Sequence, residues 1–146
     1  MKKIFMVFLL TVSSVFAQYD FAEPKPTFDE PRKVILSLYD KDLDKANHII
    51  GTVYNLLKEY PSESLNVVVV AYGPGMRLIR NDGDANLIKR MQSLMEYDVE
   101  FVACRNTMET MNWKEEEFID DLRYVQAGLL EVIEKQVEGF ININPY

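Results

Sequence analysis

Four consecutive valines constrain the fold of this chain more than any other feature of its sequence. They lie in the segment Leu65–Ala71, and the turn-forming residues 72–75 follow directly. A strand that is apolar on both faces is buried on both faces, as in the centre of a parallel sheet. The segment therefore predicts a central parallel strand with helices packed on either side of its sheet.

The rest of the chain alternates between strand-like and helix-like patterns. Short apolar runs predict further strands at residues 32–38, 99–103, 122–125 and 140–143. Apolar residues at helical spacing predict three main helices, at residues 46–57, 87–95 and 129–137. The last helix is marked by Leu129, Leu130, Ile133, Gln136 and Val137. This order predicts an α/β fold with a mostly parallel sheet of about five strands and right-handed crossovers.

The amino terminus has the pattern of a signal peptide. Lys2 and Lys3 form a basic region, an apolar stretch follows at residues 4–12, and Ala17 stands at the expected cleavage point. The apolar stretch is short for a membrane span. We therefore expect residues 1–17 to be removed on export, which makes the protein periplasmic or secreted; an uncleaved anchor helix is the alternative.

Residues 18–31 are predicted to form a tether, because three prolines interrupt any helix or central strand there. The predicted domain is then residues 32–146. Removing residues 1–17 takes away two lysines and no acid, so the net charge changes from −7 to −9. An acidic domain without a basic stripe argues against binding to nucleic acid or to an anionic membrane surface.

Cys104 is the only cysteine of the chain, so no intramolecular disulfide can form. It follows the predicted third strand and precedes a short helix expected at residues 105–112, for which Asn106 or Thr107 is the expected cap. Sites in open parallel sheets gather at the carboxyl ends of the strands, and a helix start favours a thiolate. Cys104 is therefore the candidate nucleophile, and a buried structural thiol is the alternative.

Other side chains are expected near this thiol, at the same edge of the sheet. Tyr39 and Tyr72 flank the ends of the first two strands. Gly73 and Gly75 belong to a turn that can wall the pocket or hold backbone amides toward an anion. Arg105 would favour the thiolate or bind an oxyanion.

The remaining histidine, acidic and aromatic residues give weaker indications of a functional site. His48, the only histidine, falls on the polar face of its helix, which weakens the case for a Cys/His pair. No ligand cluster predicts a metal site, and no motif predicts a cofactor. The acidic run at residues 114–121 is expected to be solvated. Trp113, with Met108 and Met111, forms an apolar patch that can cap the pocket or pack against another subunit.

Residues 103–108, ACRNTM, resemble the AC-x-N-T-M signature of the DsrE/DsrF-like superfamily. The strand at 32–38, the segment VVVVAYGPG and the closing AGL…QVEG are also similar to that family, so the resemblance covers residues 32–146. It implies a flavodoxin-like three-layer sandwich and homo-oligomers, often trimers or hexamers. In some members the cysteine corresponding to Cys104 carries a persulfide in sulfur relay, and relatives often have histidine where Tyr72 stands.

The leading hypothesis is a periplasmic sulfane-sulfur carrier or sulfurtransferase that uses Cys104 and exchanges sulfur with donor and acceptor proteins. One alternative is a non-catalytic oligomeric binding or scaffold module with an inert, buried thiol. Another is the binding of a small anion at the Gly73–Gly75 turn.

Overall fold

Five strands form one fully parallel sheet in the computed structural model, which describes residues 23–145. Their spatial order is β4-β3-β2-β1-β5. The strands are β1 (Arg32–Leu38), β2 (Leu65–Ala71), β3 (Glu100–Cys104), β4 (Arg123–Val125) and β5 (Ile141–Asn142). The predicted signal peptide and the start of the predicted tether lie outside the described residues.

The valine-rich segment is confirmed as a central strand. β2 pairs with β1 along one edge and with β3 along the other. Val67 and Val69 pack into the core on one face of the sheet, whereas Val68 and Val70 pack into the core on the opposite face. Burial on both faces is therefore the environment that the run of valines predicted.

Two main helices begin at aspartate caps within the predicted turns. The helices are α1 (Leu43–Glu59), α2 (Ala85–Met95), α3 (Arg105–Met111) and α4 (Gly128–Val137). The Asp42 side chain accepts hydrogen bonds from the N–H groups of Asp44 and Lys45 at the start of α1. Asp84 accepts one from Leu87 at the start of α2. Each cap satisfies amides that have no partner inside the helix.

The helices are divided unequally between the two faces of the sheet. β1, β2, β3 and β4 advance across the sheet in one direction, so right-handed crossovers place α1, α2 and α3 on the same face. The chain returns from β4 to β5 in the other direction, and α4 covers the opposite face through Val132. The three-layer, flavodoxin-like arrangement is thereby confirmed, with one layer made by α4 alone.

The apolar residues of α4 point away from the sheet. Gly128 and Val132 form the buried side of this helix. The residues that mark the helix in the sequence are exposed: Leu129 by 57%, Leu130 by 59%, Ile133 by 47% and Val137 by 78%. Their spacing predicts the helix correctly, but these side chains do not contribute to the core of the described chain.

The connection from α3 to β4 corrects one sequence expectation and shows how Trp113 packs. Phe118 and Ile119, within the run expected to be solvated, are buried. Trp113 packs edge-to-face on Phe118, with ring centres 5.9 Å apart, and the Arg80 guanidinium lies 4.8 Å from the centre of the Trp113 ring. Trp113 thus packs within its own domain.

None of the helices within residues 23–145 is long and apolar enough to cross a membrane.

Gly75 lies where the 3-10 helix Gly73–Ile79 passes over the end of β1. A Cβ atom at this position would lie 2.0 Å from the carbonyl oxygen of Leu38, and only backbone movement could relieve that contact. We expect Gly75→Ala to lower the free energy of unfolding by about 3 kcal/mol, at the upper end of typical overpacking costs. Urea denaturation measures the change.

Gly51→Ala is the matched control within α1. A Cβ there would meet only the Arg90 Nη2 atom, at 3.7 Å, within 4 Å. Alanine favours a helix interior over glycine by about 0.5–1 kcal/mol, so this variant should be as stable as the parent or more so. Similar losses in the two variants would contradict the close approach at Gly75.

Candidate functional site

Cys104 lies where the starts of two helices meet. It is the last residue of β3 and the N-cap residue of α3, and it is 5% exposed. Its Sγ accepts a hydrogen bond from the N–H of Gly128, the first residue of α4, at 3.3 Å. On the other side, the Cys104 thiol lies 3.9 Å from the Gln126 carbonyl oxygen, to which its proton can be donated.

The hydrogen bond to the sulfur depends on a glycine at the start of α4. A Cβ at position 128 would lie 2.9 Å from the Tyr72 Cβ and 3.2 Å from the Cys104 Cβ. Any larger residue would push the first turn of α4 away from β3. Gly128 is therefore the residue that lets a backbone amide reach the thiol.

The pKa of the Cys104 thiol is lowered from its ordinary value. Burial is the largest single influence and raises this pKa, because it disfavours the charged thiolate. The Thr107 hydroxyl and the backbone N–H groups of Gly128, Thr107 and Asn106 lower it by hydrogen bonding, and together they outweigh burial. More of the thiol is therefore ionised at neutral pH than in an ordinary cysteine.

Thr107 connects the thiol to the turn that follows β2. The Gly73 N–H donates a hydrogen bond to Thr107 Oγ1 at 2.9 Å. A hydroxyl has one proton to donate, and accepting from Gly73 leaves that proton available for the sulfur. The structure thus places Cys104, Thr107 and Gly73 next to one another. The expected cap is corrected, because α3 begins at Arg105 and its N-cap is Cys104.

Arg105 is not among the main influences on the pKa of the Cys104 thiol. Its guanidinium forms an ion pair with Glu115 and lies 5.1 Å from the centre of the Tyr124 ring. The largest influences on the Cys104 pKa are burial, a hydroxyl and backbone amides. The local field at the sulfur therefore comes mainly from dipoles held by the fold.

Gln126 is a site residue that the sequence analysis missed. Its Nε2 donates to Asn106 Oδ1 at 2.6 Å and to Glu109 Oε1 at 3.1 Å, while its backbone oxygen accepts from the Asn106 N–H at 2.9 Å. These bonds fix the start of α3 against the loop after β4. The pocket was expected only at the carboxyl ends of the first three strands, whereas the same rule applied to β4 indicates Gln126 and Gly128.

Tyr72 and Tyr39 form an aromatic pair beside the site. Their rings stack with centres 6.4 Å apart and an interplanar angle of 27°. Tyr72 is half-buried and lies next to Gly128, whereas Tyr39 is exposed. Tyr72 therefore borders the thiol, and Tyr39 extends the aromatic surface outward.

The glycine turn does not have the geometry expected of an anion site. The Gly73 N–H is bonded to Thr107, and the Gly75 N–H donates to the Tyr72 carbonyl oxygen at 3.2 Å. Both amides are used inside the protein, and Gly75 packs against the end of β1 rather than against the thiol. The turn thus supports the site through Gly73 alone.

Nothing in residues 23–145 links His48 or a metal site to the Cys104 thiol. His48 is exposed on the side of α1 opposite its buried residues Ala46, Ile49, Ile50 and Val53, and it therefore points away from the sheet. Among residues 23–145, no three His, Cys, Asp or Glu side chains are grouped so that they could hold a metal ion.

Known proteins match this chain over almost the whole of its predicted domain. The sequence profile of the DsrE/DsrF-like family matches residues 32–145. The fold is similar to that of MTH1491 from Methanobacterium thermoautotrophicum, a protein of unknown function, with a TM-score of 0.72 and 24% identity over 78% of this chain and 99% of that one. It is also similar to the ychN protein from E. coli, with a TM-score of 0.63 and 11% identity over 76% and 96% of the two chains. No curated protein sequence matches the chain.

Replacing Thr107 by valine should raise the pKa of Cys104, because valine keeps the shape of threonine but removes the hydroxyl that lowers this pKa. The fraction of thiolate at neutral pH then falls. The pH dependence of the rate of alkylation by iodoacetamide should accordingly move to higher pH.

Thr110→Val is the control on the same helix, since the Thr110 hydroxyl donates to the Asn106 carbonyl oxygen and has no part in the pKa of Cys104. Its alkylation profile should match that of the parent. An unchanged profile in Thr107→Val, or an equal shift in both variants, would rule out the role given to the Thr107 hydroxyl.

Proposed function

Since the chain belongs to the DsrE/DsrF-like family, which is related to sulfur relay, we propose that it is a sulfane-sulfur carrier or sulfurtransferase that uses Cys104. The observation that carries the proposal is the hydrogen bond from the Gly128 N–H to Cys104 Sγ, together with the lowered pKa of that thiol. The thiolate is the nucleophilic form of cysteine. The site therefore provides the group that sulfur transfer requires.

The first step is attack of the Cys104 thiolate on the terminal sulfur of a donor persulfide or polysulfide. The S–S bond of the donor breaks, the donor leaves as a thiolate, and Cys104 becomes a persulfide. The proton on the transferred sulfur remains with it, so no external oxidant or reductant is needed. Backbone amides of α3 and α4 support the ionised sulfur from which the attack begins.

The second step returns the protein to its starting state. A thiolate of the acceptor attacks the outer sulfur of the Cys104 persulfide, and Cys104 leaves as a thiolate while the acceptor becomes the persulfide. A thiol of lower pKa is a better leaving group in such exchanges. The hydrogen bonds that promote the first step therefore also promote release.

A separate molecule must accept the sulfur, because Cys104 is the only cysteine of the chain. An internal cysteine would instead resolve the persulfide as a disulfide. Because the predicted signal peptide would direct export, the donor, the carrier and the acceptor are all proposed to act outside the cytoplasm. The proposed partners are thus exported proteins or small thiols that carry sulfane sulfur.

A non-catalytic binding module is the second candidate function. The specific observation in its favour is that Cys104 is only 5% exposed, which is also typical of cysteines that serve as small apolar core residues. The two functions differ in the reactivity of the native thiol, which can be measured directly.

We expect the exported, purified protein to gain the mass of one or more sulfur atoms when it is treated with polysulfide. The reason is that a thiolate at Cys104 attacks sulfane sulfur, whereas serine does not form a persulfide. Intact-mass spectrometry measures the adduct, and Cys104→Ser should show none. Reduction with a thiol should remove the added sulfur from the parent protein.

Alkylation of the folded and the denatured protein is the companion measurement. A parent protein that gains no sulfur, and whose thiol reacts with iodoacetamide only after denaturation, would refute the carrier function and favour the binding module. Sulfur added equally to Cys104→Ser would show that the adduct forms elsewhere.

A further inference from the structure

The Tyr72 side chain lies beside the Cys104 side chain, under the first residue of α4. A Cβ atom at position 128 would lie 2.9 Å from the Tyr72 Cβ and 3.2 Å from the Cys104 Cβ. Both side chains therefore leave the sheet on the face that α4 covers. Since Tyr72 follows β2 and Cys104 ends β3, the aromatic ring and the thiol are neighbours at the carboxyl edge of two paired strands.

The polar groups around the sulfur are backbone groups and one small hydroxyl. The Gly128 N–H lies 3.3 Å from the sulfur, and the Gln126 carbonyl oxygen lies 3.9 Å from it. The Thr107 hydroxyl and the N–H groups of Asn106 and Thr107 approach it from the first turn of α3. Compared with these groups, the Tyr72 ring is the large side chain beside the thiol, and its size is the property of the site that a substitution can change.

The difference in exposure between Tyr72 and Cys104 indicates what the ring does. Cys104 is 5% exposed, whereas Tyr72 is half-buried, so the tyrosine has one side toward solvent and another toward the site. A donor that brings a sulfur atom to Cys104 Sγ also brings the groups attached to that atom and to its neighbour. Those groups must fit beside the Tyr72 ring, because close-packed side chains leave little room for added volume.

Tyr39 supports the Tyr72 ring from the side away from the thiol. The two rings stack with centres 6.4 Å apart. Tyr39 follows β1, and β2 separates β1 from β3, so the ends of β1 and β3 are two strand spacings, or about 10 Å, apart. Tyr39 is therefore a positioning residue that acts on access to Cys104 through the Tyr72 ring.

We propose that the Tyr72 ring selects the sulfur donor by size. It admits a slim donor, such as an inorganic polysulfide, and it hinders a donor that carries an aromatic or branched group next to its sulfane sulfur. This selectivity rests on the carrier function proposed above and narrows its substrates to small, unbranched sulfur compounds. The ring limits access to the thiol, whereas hydrogen bonds set its pKa, so the two properties can be changed separately.

Methyl and benzyl methanethiosulfonate test the selection by size, because both reagents are neutral and release methanesulfinate when the Cys104 thiolate attacks and forms a mixed disulfide. The ratio of the two rate constants does not depend on the fraction of thiolate, and the ratio for denatured protein normalises it. The parent should favour the methyl reagent by about tenfold or more, the factor that corresponds to a typical overpacking cost. Tyr72→Ala should bring the normalised ratio close to one, and Tyr72→Phe should keep the ratio of the parent.

Two further tyrosine variants complete the experiment. Tyr39→Ala should give a ratio between those of the parent and Tyr72→Ala, because it removes the support of the ring. Tyr97→Ala is the matched control, since Tyr97 is 56% exposed and precedes the start of β3, and it should keep the ratio of the parent. A parent that reacts equally with both reagents or with neither, or a Tyr72→Ala variant with the ratio of the parent, would overturn the proposal. Sulfur uptake from polysulfide is measured separately, so a failure of the carrier function is distinguishable from a failure of the selection by size.

Discussion

The parallel pairing of β1, β2 and β3 is the constraint on which the rest of the structure depends. β1 and β2 pair over seven residues, and β2 gives its other edge to β3. Parallel strands end at the same edge of a sheet, so the loops after β2, β3 and β4 emerge together. Cys104 ends β3, whereas Gly73 and Gly128 follow β2 and β4, and this shared edge brings the three residues to one site.

The thiol illustrates how a fold can lower the pKa of a cysteine mainly through hydrogen bonds. Burial disfavours the thiolate, and a side-chain hydroxyl with several backbone amides favours it. Because those amides come from the first turns of α3 and α4, the pKa of Cys104 depends on the position of both helices. Loss of packing at either helix would change the chemistry of the sulfur as well as the stability of the domain.

The sequence predicts some parts of this structure well because their physical cause is local. The valines of β2 require burial, and Asp42 and Asp84 cap the helices that follow them. The site was predicted less completely, because Gly128 acts through a backbone N–H that every residue except proline possesses. Only the three-dimensional approach of α4 shows why glycine is needed. Likewise, helical spacing in α4 shows that a helix forms, but not that its apolar side faces outward.

The place where the chain enters β1 determines which edge of the sheet lies nearest to the amino-terminal segment. Arg32 starts β1 at the amino edge of the sheet, whereas Cys104 ends β3 at the carboxyl edge. Seven residues of strand span about 20 Å, so the sheet separates the two by roughly that distance. If the amino-terminal segment were held at a surface, the edge of the sheet at which β3 ends in Cys104 would lie on the side of the domain away from that surface.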